Sequence, residues 1–88
     1  MLRLRVVVSG RVQGVCYRDS CRQQAERHRV AGWVENAEDG SVVAELEGDP
    51  DAVQAVVAWM HHGPERAQVR DVAVSQVAET GERGFSVR

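Results

Sequence analysis

The chain has 88 residues, of which 43% are hydrophobic and 27% are charged, and its formal net charge at pH 7 is −2. A chain of this length is expected to form one domain, residues 1–88, around a single hydrophobic core. No segment approaches the roughly 20 apolar residues of a membrane-spanning helix, and the first residues lack the pattern of a signal peptide, so we expect a cytoplasmic protein with no membrane partner.

The charges are unevenly distributed along the chain. Residues 1–30 hold seven arginines and two acidic residues, a net charge of +5, whereas the remaining four arginines face eleven acidic residues, a net charge of −7. A basic first third can attract a phosphate-bearing ligand, and an acidic remainder disfavours the wrapping of nucleic acid. The sequence has no lysine, which excludes Schiff-base chemistry and a Walker phosphate loop.

The residues that commonly bind metals are few and poorly spaced for that purpose. Cys16 and Cys21 do not form a CxxC pair, and no second pair exists to complete a zinc site. His61 and His62 are adjacent on a predicted helix, so their side chains do not face each other. We therefore expect two reduced thiols, no disulfide and no metal centre.

The start of the chain predicts a strand, a loop and a helix. Apolar residues alternate over residues 2–8 and indicate a strand with one buried face. The loop GRVQGVCYR, residues 10–18, follows this strand. Beyond it, apolar residues recur at steps of three and four and predict a helix that runs to about Arg29.

A hairpin and a second helix are predicted next. Strands are expected over residues 32–36 and 42–47, with the turn EDGS between them. The second helix should begin after Asp49, a typical N-cap residue, with Pro50 in its first turn. It should end at the Gly-Pro pair of residues 63–64.

The rest of the chain predicts two further strands, residues 69–77 with one irregularity in their alternation and residues 85–88, separated by a turn at residues 80–84. The order β-α-β-β-α-β-β contains the split βαβ pattern, βαββαβ, followed by a short C-terminal strand. We therefore expect an α+β fold of the ferredoxin-like type, a sandwich in which two helices pack on one face of one sheet. Such a fold does not by itself identify a function.

The loop GRVQGVCYR joins the end of a strand to the start of a helix, a place where anions bind readily. The first N–H groups of a helix lack intrahelical acceptors, and the helix dipole places partial positive charge there. Gly10 and Gly14 permit positive φ, so that successive N–H groups can curve around an anion. Arg18 could hold two phosphate oxygens with its planar guanidinium. The alternative is a flexible connection that carries a surface arginine.

Asn36 lies close to the turn of the predicted hairpin. Its commoner role at such a position would be an Asx-turn, in which the side chain bonds to the local backbone. It could instead direct its carboxamide to a neighbouring site, where it can both accept from and donate to a water molecule. The residues alone leave both roles open.

Two segments resemble motifs of the acylphosphatase family. GRVQGVCYR is similar to the phosphate loop of that family, G-x-V-Q-G-V-x-[FY]-R, and GWVENAEDGSV, residues 32–42, is similar to its segment G-W-V-x-N-x-x-D-G-x-V. Arg18 and Asn36 are 18 residues apart, the distance that this resemblance leads us to expect. GPERAQVRDVAV and FSVR resemble later landmarks of the family, so the likeness extends over nearly the whole chain.

The resemblance implies a hydrolase, without metal or other cofactor, that splits a small-molecule acyl phosphate into a carboxylate and inorganic phosphate. It implies that Arg18 binds the phosphoryl group and that Asn36 orients the attacking water. The phosphoryl oxygens would be held by five main-chain N–H groups, those of Gln13, Gly14, Val15, Cys16 and Tyr17. We expect the protein to act as a monomer.

One departure from the family pattern lies at the end of the first helix. The family often has an apolar residue and then glycine there, whereas this chain has His28 and Arg29. If Arg29 takes the left-handed conformation of a helix C-terminus, it costs about 1 kcal/mol relative to glycine. This departure bears on stability and on the end of the helix, not on the chemistry.

Two other classes of function remain as alternatives. A non-catalytic module could use the same loop to hold a phosphorylated ligand, although simple phosphate binding would not need Asn36. RNA could bind the open face of the sheet, but the aromatic RNP pattern is missing and the later strands are acidic. On that face Glu45 and Glu47 are expected to be solvated.

Overall fold

The computed structural model describes all the residues, 1–88. It contains five strands and two helices in the predicted order. They are β1 (Leu2–Arg11), α1 (Tyr17–Arg27), β2 (Ala31–Asn36), β3 (Val42–Gly48), α2 (Pro50–Met60), β4 (Gln68–Gln76) and β5 (Phe85–Val87). The predicted elements are confirmed, and their ends differ from the predicted ones by at most three residues.

The strands form one sheet in the order β4-β1-β3-β2-β5, in which β5 is parallel to β2 and the other neighbours are antiparallel. Helix α1 packs on β2 and β5, α2 packs on β1 and β3, and the two helices touch each other. Both helices cover the same face of the sheet. The ferredoxin-like α+β fold predicted from the sequence is therefore confirmed.

The core lies between this face and the helices. Its fully buried side chains come from strands, from the loop before α1 and from both helices; the largest are Tyr17, Leu46, Met60, Val6, Val8 and Val12. Cys21 is buried among them, and burial raises the pKa of its thiol to about 12. Cys16 is exposed, and both cysteines are free. Neither helix has the length and apolar character needed to cross a membrane.

Strand β1 continues three residues beyond its predicted end because Gly10 lets the strand bend without ending. Gly10 has a φ of 122°, and Gly10 and Arg11 pair with Val69 and Gln68 of β4 after a shift of register. A Cβ atom at Gly10 would collide with the carbonyl oxygen of Gln68, so this β-bulge requires glycine. Gly10 therefore belongs to the sheet, and the connection to α1 consists of residues 12–16.

Helix α1 ends at Arg27, two residues earlier than predicted, because Arg29 adopts the left-handed conformation with a φ of 58°. The N–H groups of Arg29 and Val30 donate to the carbonyl oxygens of Glu26 and Ala25, at 3.1 and 2.8 Å. This is the Schellman arrangement, in which the left-handed position is usually occupied by glycine. The departure seen in the sequence thus places an arginine where the backbone favours glycine.

Helix α2 begins at Pro50, and Asp49 is its N-cap residue as predicted. The carboxylate of Asp49 makes no capping hydrogen bond, so only its position is confirmed and not the interaction expected of it. The ring of proline sets φ near the helical value, which suits Pro50 to the first helical position.

The sheet face opposite the helices holds an ion cluster around a buried arginine. The expectation that the carboxylates are solvated there is wrong for Glu47, which is 5% exposed, whereas Glu45 remains partly exposed. Arg3 is only 2% exposed and donates to the carboxylates of Glu45 at 2.8 Å, Glu47 at 2.9 Å and Glu82 at 3.0 Å. Burial acts to lower the pKa of Arg3, but these hydrogen bonds outweigh it and raise the pKa above its ordinary value. We call these four residues the Arg3 cluster.

This face is covered because the connection between β4 and β5, residues 77–84, crosses it from one edge of the sheet to the other. The N–H groups of Thr80 and Gly81 donate to the carboxylate of Glu47 at 2.8 and 3.0 Å. The hydrogen bond from Thr80, together with those from Arg3 and Gly81, outweighs the effect of burial and holds the pKa of Glu47 below its ordinary value. The Arg3 cluster therefore fixes the connection that leads to β5.

Candidate active site

Residues 12–16 form a tight turn between β1 and α1. Gly14 and Cys16 both have left-handed φ values, 73° and 65°. No N–H group of residues 13–17 donates to a main-chain carbonyl, and Cys16, the N-cap residue of α1, provides no side-chain cap. The turn thus presents unpaired donors beside the positive end of the helix dipole, an arrangement that suits an anion.

Tyr17 anchors the start of α1 to the end of α2. Its side chain is 2% exposed, and its hydroxyl donates to the carbonyl oxygen of Met60 at 2.7 Å. A Cβ atom at Gly63 would lie only 2.6 Å from the ring of Tyr17, so glycine leaves the room that the ring needs. Burial raises the pKa of Tyr17 and keeps the hydroxyl neutral. The side chain of Tyr17 therefore positions the turn, and its N–H group donates to no main-chain carbonyl.

Gln13 ties the turn to the β2–β3 hairpin. Its Nε2 atom donates to the carbonyl oxygens of Ala37 at 2.8 Å and Ser41 at 3.0 Å. The hairpin turn is itself held by the carboxylate of Asp39, which accepts from the N–H and hydroxyl of Ser41 at 2.9 and 2.7 Å. Sequence reasoning assigned only the N–H group of Gln13 and missed this side-chain role. The available signal was a glutamine inside the motif V-Q-G, directly before the turn glycine.

Asn36 ends β2 and lies on the helix side of the sheet. Side chains two residues apart on a strand share a face, and Val34 is fully buried beneath the helices. The Asx-turn considered for Asn36 is made instead by Asp39, which bonds to the N–H of Ser41. Asn36 is exposed, and its carboxamide is available to a ligand or to water.

Arg18 and Asn36 line one cavity of about 200 Å³. The complete lining is Val12, Gly14, Cys16, Tyr17, Arg18, Asp19, Asn36 and Val87. Two of the residues predicted from the sequence, Gln13 and Val15, are not part of the lining, because the side chain of Gln13 bonds to the hairpin and that of Val15 packs in the core. The other predicted residues are brought together.

Arg18, the second residue of α1, is held at one point only. Its Nη1 atom donates to the main-chain oxygen of Arg88 at 2.7 Å, directly after β5. None of the seven ion pairs in the protein involves Arg18. A guanidinium has five N–H donors, so most of the donors of Arg18 remain available.

The cavity thus combines unpaired main-chain donors, a guanidinium with donors to spare and an exposed carboxamide, which together can hold an oxyanion next to a water molecule. No group of three or more histidine, cysteine, aspartate or glutamate side chains is arranged to hold a metal ion. The fold and the cavity define a small α+β protein with a cavity suited to an anion between a strand and a helix.

Comparison with known proteins agrees with this description. The family model described as Acylphosphatase matches residues 4–87. An acylphosphatase of Rubrobacter xylanophilus is 54% identical over 87 residues, which cover 98% of this chain and 79% of that protein. The crystal structure of acylphosphatase from Bacillus subtilis is similar with a TM-score of 0.97 and 36% identity, over 100% of this chain and 99% of that one. The structure of an acylphosphatase from Coxiella burnetii is similar with a TM-score of 0.95 and 34% identity, over 99% of this chain and 92% of that one.

The chain belongs to the acylphosphatase family, a family of enzymes.

Proposed function

We propose that this enzyme hydrolyses the carboxyl–phosphate bond of acyl phosphates, without a metal, and that residues 1–88 form one domain that acts as a monomer. Water adds to phosphorus, the bond from phosphorus to the acyl oxygen breaks, and a carboxylate and inorganic phosphate leave. The observation that carries the proposal is the single cavity that Arg18 and Asn36 line together with the turn of unpaired N–H groups. Cytoplasmic location stays a prediction from the sequence.

In this proposal the main-chain N–H groups of residues 13–17 and the guanidinium of Arg18 hold the three oxygens of the phosphoryl group. Phosphoryl transfer has a loose transition state with charge spread over those oxygens, so fixed donors and correct positioning supply most of the catalysis. The bond from Arg18 to the main-chain oxygen of Arg88 fixes the guanidinium before the substrate binds. Its remaining donors are directed to the substrate.

Asn36 orients the attacking water, since a carboxamide can both accept from and donate to it. The side chain has no basic group at neutral pH, so Asn36 does not remove the proton of the water. We assign that proton to a phosphoryl oxygen, which becomes part of the phosphate product. The departing carboxylate is a weak base and needs no general acid.

Steady-state hydrolysis of benzoyl phosphate in the presence of a chelator tests the proposal. Loss of one preorganised donor to a developing charge costs about 100- to 1,000-fold in kcat, so Arg18→Ala and Asn36→Ala should each lose activity on this scale. Arg27→Ala is the matched control, because Arg27 is an exposed arginine in the last turn of the same helix. Arg18→Lys should remain nearly as inactive as Arg18→Ala, since a point charge does not replace the planar fork.

The outcomes of this experiment separate the alternatives. Near-normal turnover in Arg18→Ala or Asn36→Ala contradicts the assigned roles. Tight binding of inorganic phosphate by calorimetry, without turnover of several acyl phosphates, identifies a binding module instead. Loss of all activity on chelation contradicts a metal-free reaction. Activity per chain that rises with protein concentration contradicts the monomer.

A further inference from the structure

We propose that the side chain of Val87 forms the subsite for the acyl group and selects acyl phosphates with an uncharged, apolar acyl chain. This inference rests on the proposed function and concerns the same cavity. The N–H turn, Arg18 and Asn36 account for the phosphoryl group and the water, but they leave the acyl group without a contact. Val87 is the lining residue that can supply one.

Val87 is the one large apolar side chain in the lining that is open to a ligand. Val12 and Tyr17 also line the cavity, but they are 1% and 2% exposed and belong to the core, whereas Val87 is 42% exposed. Single exposed valines are common on protein surfaces. What distinguishes Val87 is its place, on the wall of the cavity that also contains Arg18 and Asn36.

The strand register explains why Val87 faces the cavity and its neighbour does not. Val87 pairs with Val34 in the parallel β2–β5 ladder, and Val34 is buried on the helix side of the sheet. Arg88 extends to the opposite side, where its guanidinium lies 4.3 Å from the ring centre of Trp33 and 3.6 Å from a carboxylate oxygen of Glu35. The guanidinium of Arg88 is therefore not available to the cavity.

The size of the cavity places the acyl group at this wall. A volume of about 200 Å³ is smaller than the pockets of about 300–1,000 Å³ that enclose drug-sized ligands. The proposed function uses the N–H turn and Arg18 for the phosphoryl group, which leaves the exposed surface of Val87 to the acyl group. An acyl chain longer than acetyl then extends across the exposed surface of Val87 and covers its methyl groups.

The charges of the lining disfavour an acyl chain that carries a second anionic group. Arg18 is the only cation in the lining, and the proposed function uses it for the phosphoryl group. The other charged side chain is Asp19, whose carboxylate accepts from Arg22 at 2.9 Å and from Gln23 at 3.1 Å. A second carboxylate or phosphate on the substrate would find no cation there.

Three acyl phosphates test the inference: acetyl, butyryl and succinyl phosphate. Acetate and butyrate are leaving groups of nearly equal basicity, so a difference between them reports contact with the chain and not leaving-group chemistry. Butyryl and succinyl groups have the same number of carbons and differ by the terminal carboxylate. We expect kcat/KM for butyryl phosphate to exceed that for succinyl phosphate by at least about fivefold.

Val87→Ala should lower kcat/KM for butyryl phosphate about three- to fivefold and change that for acetyl phosphate by less than about twofold, because only the longer chain covers the lost methyl groups. The inhibition constant of inorganic phosphate should not change, since the phosphoryl contacts lie elsewhere. Val74→Ala is the matched control. Val74 is 45% exposed, on β4 at the other edge of the sheet, and is not part of the cavity.

A second variant tests the charge argument in the opposite direction. Val87→Arg places a cation at the wall and should raise the ratio of kcat/KM for succinyl over butyryl phosphate at least about fivefold at low ionic strength, with a smaller rise at high salt. Position 87 is exposed, so this variant is expected to fold.

The outcomes distinguish this inference from the function on which it rests. No hydrolysis of any acyl phosphate by the unmodified protein overturns both. Hydrolysis in which Val87→Ala affects acetyl and butyryl phosphate equally, or in which Val74→Ala has the same effect as Val87→Ala, overturns the subsite alone. An unchanged substrate ratio in Val87→Arg also overturns it.

Discussion

Two arginines on opposite sides of the sheet are held in contrasting ways. Arg3 is 2% exposed, and its Nε, Nη1 and Nη2 atoms donate to three carboxylates and to the hydroxyl of Thr80. Arg18 is only partly buried and donates to a single main-chain oxygen, that of Arg88. The donors of Arg3 are used within the folded protein, whereas those of Arg18 are mostly unused.

The contrast separates a group that stabilises the fold from a group that, in the proposed function, binds a ligand. An arginine whose donors are satisfied in the folded state contributes to stability, because the removal of Arg3 leaves the buried carboxylate of Glu47 without a cation. An arginine whose donors are unsatisfied and reachable contributes little to stability until a ligand binds. In the same way, the carboxylates of the Arg3 cluster are hydrogen-bonded within the folded protein, whereas the N–H groups of residues 13–17 have no main-chain acceptor.

The largest expected effect on stability comes from Arg3→Met. It should lower the free energy of unfolding by about 3 kcal/mol, at the lower end for a broken buried ion pair because Glu45 and Glu82 remain partly in water. Urea denaturation followed by tryptophan fluorescence measures it. Arg18→Met is the control and should change the same quantity by less than about 1 kcal/mol. Equal losses in the two variants would remove the distinction between the two sites.

Gln13→Ala tests whether one residue can contribute both to stability and to catalysis, since the side chain of Gln13 stabilises the fold and also positions the N–H turn. Loss of two hydrogen bonds to carbonyl oxygens should lower the free energy of unfolding by about 1–2 kcal/mol. A displaced turn should lower kcat/KM about 10- to 100-fold. Gln23→Ala, which removes an exposed side-chain bond to Asp19, is the control. A purely structural role would lower stability and leave kcat/KM unchanged.

Arg29→Gly should increase the free energy of unfolding by about 0.5–1 kcal/mol, because glycine tolerates the φ of 58° that strains an arginine. Arg29→Ala removes the same charge but keeps the strain, so it should give no such gain. Catalysis should be unchanged in both variants, because Arg29 lies at the end of α1 that is remote from the N–H turn. A gain in Arg29→Ala equal to that in Arg29→Gly would trace the effect to charge.

The smallest expected effect is that of pH on the stability that the Arg3 cluster contributes. The pKa values of Glu45 and Glu47 in the folded protein lie below the ordinary value of a glutamate. Their stabilisation is therefore fully present above the ordinary value, about 4.3, and is lost as the pH falls through the lower folded values. Below about pH 5, the urea concentration at the midpoint of unfolding should decrease as the pH is lowered. This decrease should be shallower in Glu47→Gln than in the unmodified protein. Identical slopes would place the titration elsewhere.

The elements of the fold could be predicted because their signals are local. Alternation in β1, the three- and four-residue steps of α1 and the turn EDGS each depend on neighbouring residues, and all were confirmed. The end of β1 was placed too early because the irregularity expected in β4 was not matched to Gly10 on the partner strand. A bulge is defined by the pairing of two strands, so the sequence of one strand alone does not show where the bulge lies.

The Arg3 cluster could not be predicted because its members are far apart in the sequence. Arg3 lies 42 positions from Glu45 and 79 positions from Glu82. Alternation shows that Glu45 and Glu47 share the polar face, but not that a later connection covers it. The tether from Gln13 to the hairpin, 24 and 28 positions away, escaped prediction for the same reason. The assignment of Arg18 and Asn36 came from the resemblance of two motifs and stays a prediction.

The path of residues 77–84 also constrains how the chain refolds. Closure of a long loop costs more entropy than closure of a short one. The hydrogen bonds from Arg3 to Glu82 and from Arg18 to Arg88 join residues that are 79 and 70 positions apart, so we expect them to form after the β2–β3 hairpin and the helices. Strand β5 would then dock last and complete the wall at Val87 and the acceptor for Arg18. In a stopped-flow experiment after dilution from urea, the return of catalytic turnover should coincide with or lag the return of native tryptophan emission and should never precede it.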